Sequence, residues 1–558
     1  MTTQLDPQYR ADALRSLGRD DIDVLIIGGG VVGAGAALDA AARGLTTVVV
    51  EARDWAAGTS SRSSKLIHGG LRYLEQLDFA LVREALKERG LLLNRLAPHL
   101  VHPVPFLFPL RRHWERPYIG AGVALYDTLG GARALPMHRH LSRSRALEFA
   151  PALREDALVG AIRYFDAQVD DARHTMMLAR TAAQHGATVL TRTKVTALLR
   201  DHDRVAGATV TDLESGRTYD VRARSVISAT GVWTDEMNAM TGVDFPFRVR
   251  MSKGVHIMVP RARLDLRTGL IMKTEKSVLF VIPWRAHWII GTTDTDWSLD
   301  RDHPVATATD VRYILDHVNS LLREPISEDD IVGTYAGLRP LLSGASDETS
   351  KLSREHAVAE PVPGLFVIAG GKYTTYRVMA ADVVDAAVAG FGRAVAPSVT
   401  ENLPVLGAVG YHELRADAET VARRAGLPVE TVTHLLERYG SLASELIAMI
   451  DSAPELGMRL PGGGDYLGVE AVYAVTHEGA LHLDDILTRR TRISIEVPDR
   501  GLAAAEVVAD LIASHLGWDD ATKTGELARY RARVRAELTA NEAADDVSAN
   551  AARLVAVS

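Results

Sequence analysis

The stretch Asp23–Glu51, DVLIIGGGVVGAGAALDAAARGLTTVVVE, decides how the rest of the chain is read. A short aliphatic run (Val24–Ile27) leads into Gly28, Gly30 and Gly33, an alanine-rich segment follows, and a second apolar run closes on Glu51. This order predicts strand, turn, helix, strand. In a G-x-G-x-x-G turn set in that context, Gly28 serves the tight turn, Gly30 lets the backbone approach a pyrophosphate, and Gly33 lets the helix pack on the strand. The helix N-terminus supplies unpaired amides and a positive dipole end for the phosphates. Glu51, about 20 residues after the glycines, stands where a carboxylate accepts from ribose hydroxyls. Asp39, Arg43 and the density of glycine argue against reading the same apolar segment as a membrane span.

Loops that follow the strands of a doubly wound sheet face the bound dinucleotide. In the loop after Glu51, Thr59, Ser60, Ser63, Ser64 and Lys65 can donate to phosphates or a ring edge, while His68, Gly69 and Gly70 let the backbone approach closely. Much later, Arg224–Gly231 reads as a buried strand ending in the small-residue turn Ala229-Thr230-Gly231. The segment GLFVIAGGKYTTYRVMAADVVDAAV then repeats the opening grammar: a strand, a Gly370-Gly371 turn, and a helix with Thr374 and Thr375 at its start. That second helix dipole can face the electron-rich end of an isoalloxazine ring. Two such units from distant parts of the chain imply one cofactor domain assembled discontinuously.

Between them, residues 245–335 alternate in short segments bounded by Pro, Gly and charged turns, which predicts an antiparallel sheet covering the cofactor. His256 and Arg250 are its conspicuous polar members; Arg339 precedes Pro340, and Arg354 opens another strand-like segment. Around residues 110–126, Arg111, Arg112, Arg116, Trp114, Tyr118 and Tyr126 flank an apolar patch too short to span a bilayer. Such a mixture suits a helix lying at a membrane surface, and equally a solvated loop beside one buried helix. Beyond Pro404 and Gly407 the pattern is helical, and its run DDILTRRTRI reads as a solvated face or a docking surface.

The expected organisation is a flexible extension (1–20), a cofactor domain (21–100, 160–244 and 336–398), a substrate or cap domain (101–159 and 245–335), a helical domain (405–540) and a loose tail (541–558). The 558-residue chain has the composition of a globular protein, and its net charge of −8 gives no reason to expect a nucleic-acid partner. It contains no cysteine, which excludes disulfides, thiolate metal sites and a cysteine nucleophile or flavin tether. No metal site is expected. The N-terminus lacks the build of a secretory signal, so a cytoplasmic setting is expected.

In order along the chain, IIGGGVVGAGAALDAAARGL, SSRSSKLIHGGLRYL, VDDARH, SKGVHIMVP, IGTTDTD, YAGLRPLL, AGGKYTTYR and DILTRRTR closely resemble the bacterial FAD-dependent glycerol-3-phosphate dehydrogenase family, within the D-amino-acid-oxidase-like flavoproteins. The likeness runs from about Asp21 to beyond Arg490. It implies an α/β fold: a Rossmann-like FAD-binding domain, an antiparallel β-sheet cap and a C-terminal helical domain. It also implies FAD held by the Gly28 loop, Glu51, Thr59, Ser60, Ser63, Ser64, Lys65, Leu66, the Val195 backbone and the Gly370-Gly371 turn. The implied substrate site, for sn-glycerol 3-phosphate, comprises Arg72, Tyr73, His256, Arg339, Arg354 and Lys372. Electrons would pass to membrane quinone, with the protein peripheral on the inner face of the cytoplasmic membrane; a homodimer stays open. Read as chemistry, Arg72, Arg354 and Lys372 suit a phosphate dianion, His256 suits the base for the alcohol proton, and Arg339 suits a developing alkoxide. Two other readings remain: an oxygen-using oxidase of phosphorylated alcohols or amino acids on the same fold, and a flavin-binding scaffold or redox sensor.

Overall fold

A computed structural model of the chain describes residues 3–19, 21–70, 78–130, 135–275, 278–342 and 356–554. The first sheet runs in the order β17 (His356–Val362), β18 (Leu365–Gly370), β10 (Thr218–Ser228), β1 (Ile22–Ile27), β2 (Thr47–Val50) and β7 (Thr188–Leu190). Its pairs from β18 to β7 are parallel. Every residue of β1 and β2 is buried, as the unbroken aliphatic runs require of strands covered on both faces. A hairpin of β8 (Thr193–Asp201) and β9 (Arg204–Asp212) continues from β10.

On one face the alanine-rich helix Val31–Ala42 packs between the helices Asp171–Gln184 and Tyr376–Val388. Small residues permit that closeness: a Cβ added at Gly35 would lie 2.9 Å from the Tyr376 ring. The helix Asp171–Gln184 starts because the Asp170 carboxylate accepts from the Arg173 amide, an N-cap of ordinary kind.

The second sheet follows the order β15 (Thr295–Trp297), β11 (Val249–Pro260), β14 (His287–Gly291), β13 (Val278–Trp284), β12 (Gly269–Lys273), β4 (Val101–Leu110), β6 (Gly160–Val169) and β3 (Leu66–Ile67). Strand β16 (Gly333–Leu342) joins β11, and β5 (Arg139–Ser142) joins β6. The pairing is antiparallel except where β12 meets β4. Two expected boundaries move. The sequence pattern places residues 160–169 and 336–342 with the cofactor domain, but β6 pairs along its length with β4, and β16 along its length with β11. Both strands therefore belong to the cap.

The ends of the chain also differ from expectation. Residues 7–16 form a helix capped by Asp6, with Ala13 and Leu17 buried and the Tyr9 hydroxyl accepting from the Val189 amide. At the other end, the helix Asp546–Leu554 buries Ala549 against Val305 and Ala540. Apolar residues too sparse to mark either segment in sequence suffice when a groove receives them.

The C-terminal helices pack on both the cofactor domain and the cap, and the run DDILTRRTRI is the junction. It is not a solvated face: Arg489, Arg490 and Arg492 are all buried. Arg489 Nε donates to Asp54 at 2.6 Å, and Arg490 clamps the same carboxylate through Nη1 and Nη2 at 2.7 and 2.8 Å. Arg492 binds Asp170 at 2.8 Å and pairs with Asp171. The excess charge is needed because the acceptors lie on other domains.

Candidate active site

A cavity of about 740 Å³ opens at the carboxyl ends of β1, β2, β10 and β18 and reaches the cap strands β11 and β16. Its floor is the glycine turn. Gly28 takes φ +113°, and a Cβ there would lie 2.6 Å from the Ala229 carbonyl oxygen. Gly30 lines the cavity as the N-cap of Val31–Ala42, whereas Gly33 lies against the Gly28 carbonyl and lets the helix close on the turn. Ser60 Oγ accepts from the Val31 amide at 2.9 Å, so the hydroxyl loop is stitched to the start of that helix. Glu51 is fixed by two amides, Gly29 N at 2.6 Å and Arg53 N at 2.8 Å. Burial raises its pKa, and those same amides oppose the rise. These are the features that a pyrophosphate and an adenosine ribose require, and an added side chain at the turn would fill the cradle.

The hydroxyl-rich loop is held from three sides. Thr59 Oγ1 donates to Leu338 O at 2.7 Å, and the Tyr335 hydroxyl donates to Ser63 O at 3.0 Å, both across to β16. Below it, Asp171 accepts from Ser63 N at 3.0 Å, from Ser63 Oγ at 2.7 Å and from Lys65 Nζ at 3.0 Å. Lys65 therefore differs from its expected role as a donor toward the cofactor. Its ammonium is wholly buried beneath the Trp284 and Tyr335 rings, away from the cavity. Burial and the neighbouring Arg492 charge lower its pKa to about 8 against the pull of Asp171. The Ser63 hydroxyl is likewise committed to Asp171, while Thr59, Ser60, Ser63, Ser64, Leu66 and His68 all contribute to the wall.

On the cap side, His256 lies on β11 opposite Gly291 of β14 and Tyr335 of β16. Its Nε2 is 2.8 Å from Ser64 Oγ, and its ring stacks on Tyr335 with centroids 4.7 Å apart and planes 12° from parallel. The buried Nδ1 has no hydrogen-bond partner among the described residues. Burial first, then the charges of Arg339 and Lys65, hold the imidazole well below its ordinary pKa of 6.5. Arg339, opposite Ser252, donates to Ser252 Oγ at 3.2 Å and Thr292 Oγ1 at 3.0 Å, and lies 3.5 Å from the Asp294 carboxylate.

Opposite them stand Val195, Ala229, Gly231, Gly370, Gly371, Lys372 and Thr374. Gly370 and Gly371 take φ +78° and +77°, which turns the strand into the next helix. Thr374 Oγ1 lies 3.2 Å from both His68 N and His68 O, tying this turn to the hydroxyl loop. Gly69 and Thr375 sit behind the wall: Gly69 N donates to the Tyr126 hydroxyl at 2.7 Å, and Thr375 is buried. Arg72, Tyr73 and Arg354 lie outside the described residues.

Some contributors escaped the sequence reading. Gly254 and Gly337 face each other across β11 and β16. A Cβ at Gly254 would strike the Arg339 guanidinium, and one at Gly337 the Arg62 backbone. Their signal was available, since glycine inside a strand pattern marks a close approach. Trp233, packed over Gly58 with Arg53 4.8 Å above its ring, and Asp171, the anchor of the hydroxyl loop, carried no comparable signal.

The doubly wound sheet, its glycine cradle and the capping antiparallel sheet define an FAD-dependent oxidoreductase. Residues 23–384 match the family model for FAD dependent oxidoreductases, and residues 398–523 match that for the C-terminal domain of alpha-glycerophosphate oxidase. The chain is 58% identical over 550 residues to the glycerol-3-phosphate dehydrogenase of Mycobacterium leprae, covering 98% of this chain and 94% of the relative. It is 37% identical over 547 residues to the human mitochondrial glycerol-3-phosphate dehydrogenase, covering 94% of this chain and 75% of that protein. The crystal structure of the Bacillus halodurans glycerol-3-phosphate dehydrogenase complexed with FAD superposes with a TM-score of 0.79 at 28% identity, covering 95% of this chain and 98% of that one. The chain belongs to the FAD-dependent glycerol-3-phosphate dehydrogenase family.

Proposed function

We propose that the protein oxidises sn-glycerol 3-phosphate to dihydroxyacetone phosphate and passes the electrons to a membrane quinone. The observation that carries this reading is the convergence of a neutral His256, the Arg339 guanidinium and Lys372 on the cavity that the glycine turn floors. FAD would be held by the Gly28 turn, Glu51, the Ser60 loop, Val195 and the Gly370-Gly371 turn, and supplies the hydride acceptor when bound. A phosphate dianion calls for fixed cations, a role we assign to Lys372 together with Arg72 and Arg354. The neutral imidazole of His256 is suited to take the carbinol proton, and Ser64 and Tyr335 fix the ring that must do so. Arg339 offers charge where the alkoxide develops. The incoming dianion would also lift the imidazole pKa back toward neutrality, strengthening the base when substrate is present.

Anaerobic addition of glycerol 3-phosphate to the FAD-loaded protein should bleach the oxidised flavin absorbance; an intact flavin that stays oxidised overturns the substrate assignment. Stoichiometric peroxide release in air would instead favour the oxygen-using reading. The charged C-terminal run no longer motivates a scaffold, because its arginines are spent inside the molecule.

For quinone access, the helix Glu115–Gly130 supports attachment to the inner face of the cytoplasmic membrane. Trp114 and Tyr118 are 59% and 56% exposed, Leu125 lies on the same side, and Arg111 and Arg112 are exposed just before them. Arg116 serves the fold instead, donating to Leu141 O at 2.9 Å, and Tyr126 is buried against Asp166. Among the described residues no helix is long and apolar enough to cross a membrane. A contact worth about 1 kcal/mol per basic residue predicts that Arg111→Glu with Arg112→Glu weakens binding to anionic vesicles at least roughly 30-fold. Unchanged co-sedimentation would exclude this face.

A further inference from the structure

A second cavity, of about 550 Å³, lies between the cofactor domain and the C-terminal helices. None of the glycine-turn residues that cradle the pyrophosphate line it, nor does Glu51. Its walls carry Arg62 from the hydroxyl loop and His303 from the cap, both shared with the cofactor cavity, together with Arg533 from the helix Asp520–Glu542, Arg553 from the helix Asp546–Leu554 and the carboxylates of Asp54, Glu214, Asp484, Asp485 and Glu526.

The charges here do not balance. The Arg62 guanidinium has neither ion pair nor hydrogen bond among the described residues, although it faces the cofactor cavity, this cavity and a small pocket of about 60 Å³ as well. The carboxylates nearby are already shared. Asp54 is clamped by Arg489 and Arg490, Asp484 lies 2.9 Å from both Arg489 and Arg533, and Glu537 is 3.7 Å from Arg533 and 3.9 Å from Arg553. Burial, then the charges of Arg533, Arg53, Arg553 and Arg489, lower the Arg62 pKa to about 9, a measure of how crowded these cations are. His303 adds a buried Nδ1 without a hydrogen-bond partner among the described residues. Arg62 and Arg533 are half-buried and Arg553 is buried, and cations crowded in such a cavity beyond what the shared carboxylates balance favour the entry of an anion.

We propose that this cavity binds a small phosphate-bearing metabolite, its phosphate held by Arg62, Arg533 and Arg553 with His303 as a neutral partner. Guanidinium forks match phosphate oxygens in geometry as well as charge, and three such groups converge from three parts of the fold. Binding would therefore tie the hydroxyl loop, the cap and the C-terminal helices together.

The test uses the FAD-loaded full chain and inorganic phosphate as probe, with binding followed by calorimetry and flavin content by absorbance. Arg553 lies outside the cofactor cavity, so Arg553→Gln should weaken phosphate binding about tenfold or more with flavin content retained, as loss of a charge-assisted hydrogen bond implies. Arg533→Gln, also outside the cofactor cavity, should do the same, and it decides the matter if the first variant does not fold. Failure of the native protein to bind phosphate overturns the proposal. So does unchanged affinity in both variants, which would place phosphate binding in the cofactor cavity alone.

Discussion

Replacing His256 by Gln is expected to lower kcat by about 10²–10⁴-fold, the usual worth of a positioned general base, while FAD content stays at the wild-type level. The ring hydrogen-bonds with the Ser64 hydroxyl and stacks on the Tyr335 face, and glutamine can keep the first of these contacts. The pH dependence gives a second readout. Burial and the Arg339 and Lys65 charges depress the pKa of this histidine in the folded protein, so the imidazole is neutral at pH 7. In the wild type, kcat/KM expressed on the concentration of substrate dianion should hold steady from neutrality down past the ordinary histidine range and fall only as pH drops through the lowered value. The variant should lose that acid limb. Wild-type turnover, or an unchanged limb, removes His256 from the role.

A comparably large effect on stability is expected from Asp54→Ala. That carboxylate accepts from Arg489 and twice from Arg490, and its removal takes the two-pronged partner from the buried Arg490 and one of three carboxylates from Arg489, at a cost of about 3–5 kcal/mol. Urea unfolding monitored by tryptophan fluorescence measures it. Arg529→Ala, whose side chain is 67% exposed, should stay within about 0.5 kcal/mol. The sign with pH also follows. Burial works to raise the Asp54 pKa, and Arg490 and Arg489 overcome it and leave it below 3.8. The stabilisation is therefore complete above pH 3.8 and is lost as pH falls through the depressed value. Equal midpoints for wild type and Asp54→Ala would deny the junction any part in stability.

Local grammar made much of this molecule legible. The glycine turns at Gly28 and Gly370 announce themselves because backbone conformation and helix start are written in neighbouring residues. His256, Arg339 and Lys372 could be nominated because their chemistry is uncommon on apolar strands and turns. The arginines of DDILTRRTRI could not be placed, since whether a charge is solvated or buried depends on partners such as Asp54, 435 positions away in the case of Arg489. Lys65 shows the same limit within a well-read motif: the spacing puts it in the loop, but Asp171 decides where its ammonium points. The strands β6 and β16 join the second sheet because pairing, not composition, assigns a strand to a sheet.

The Arg492 contact with the hydroxyl loop also sets an order of events during synthesis. Its Nη1 donates to Ser61 O at 3.1 Å, across 431 residues of chain. At translation rates of about 5–20 residues per second, the brace leaves the ribosome roughly 20–90 s after the loop it supports. The wall of the cofactor cavity is thus among the first segments made and among the last to be secured.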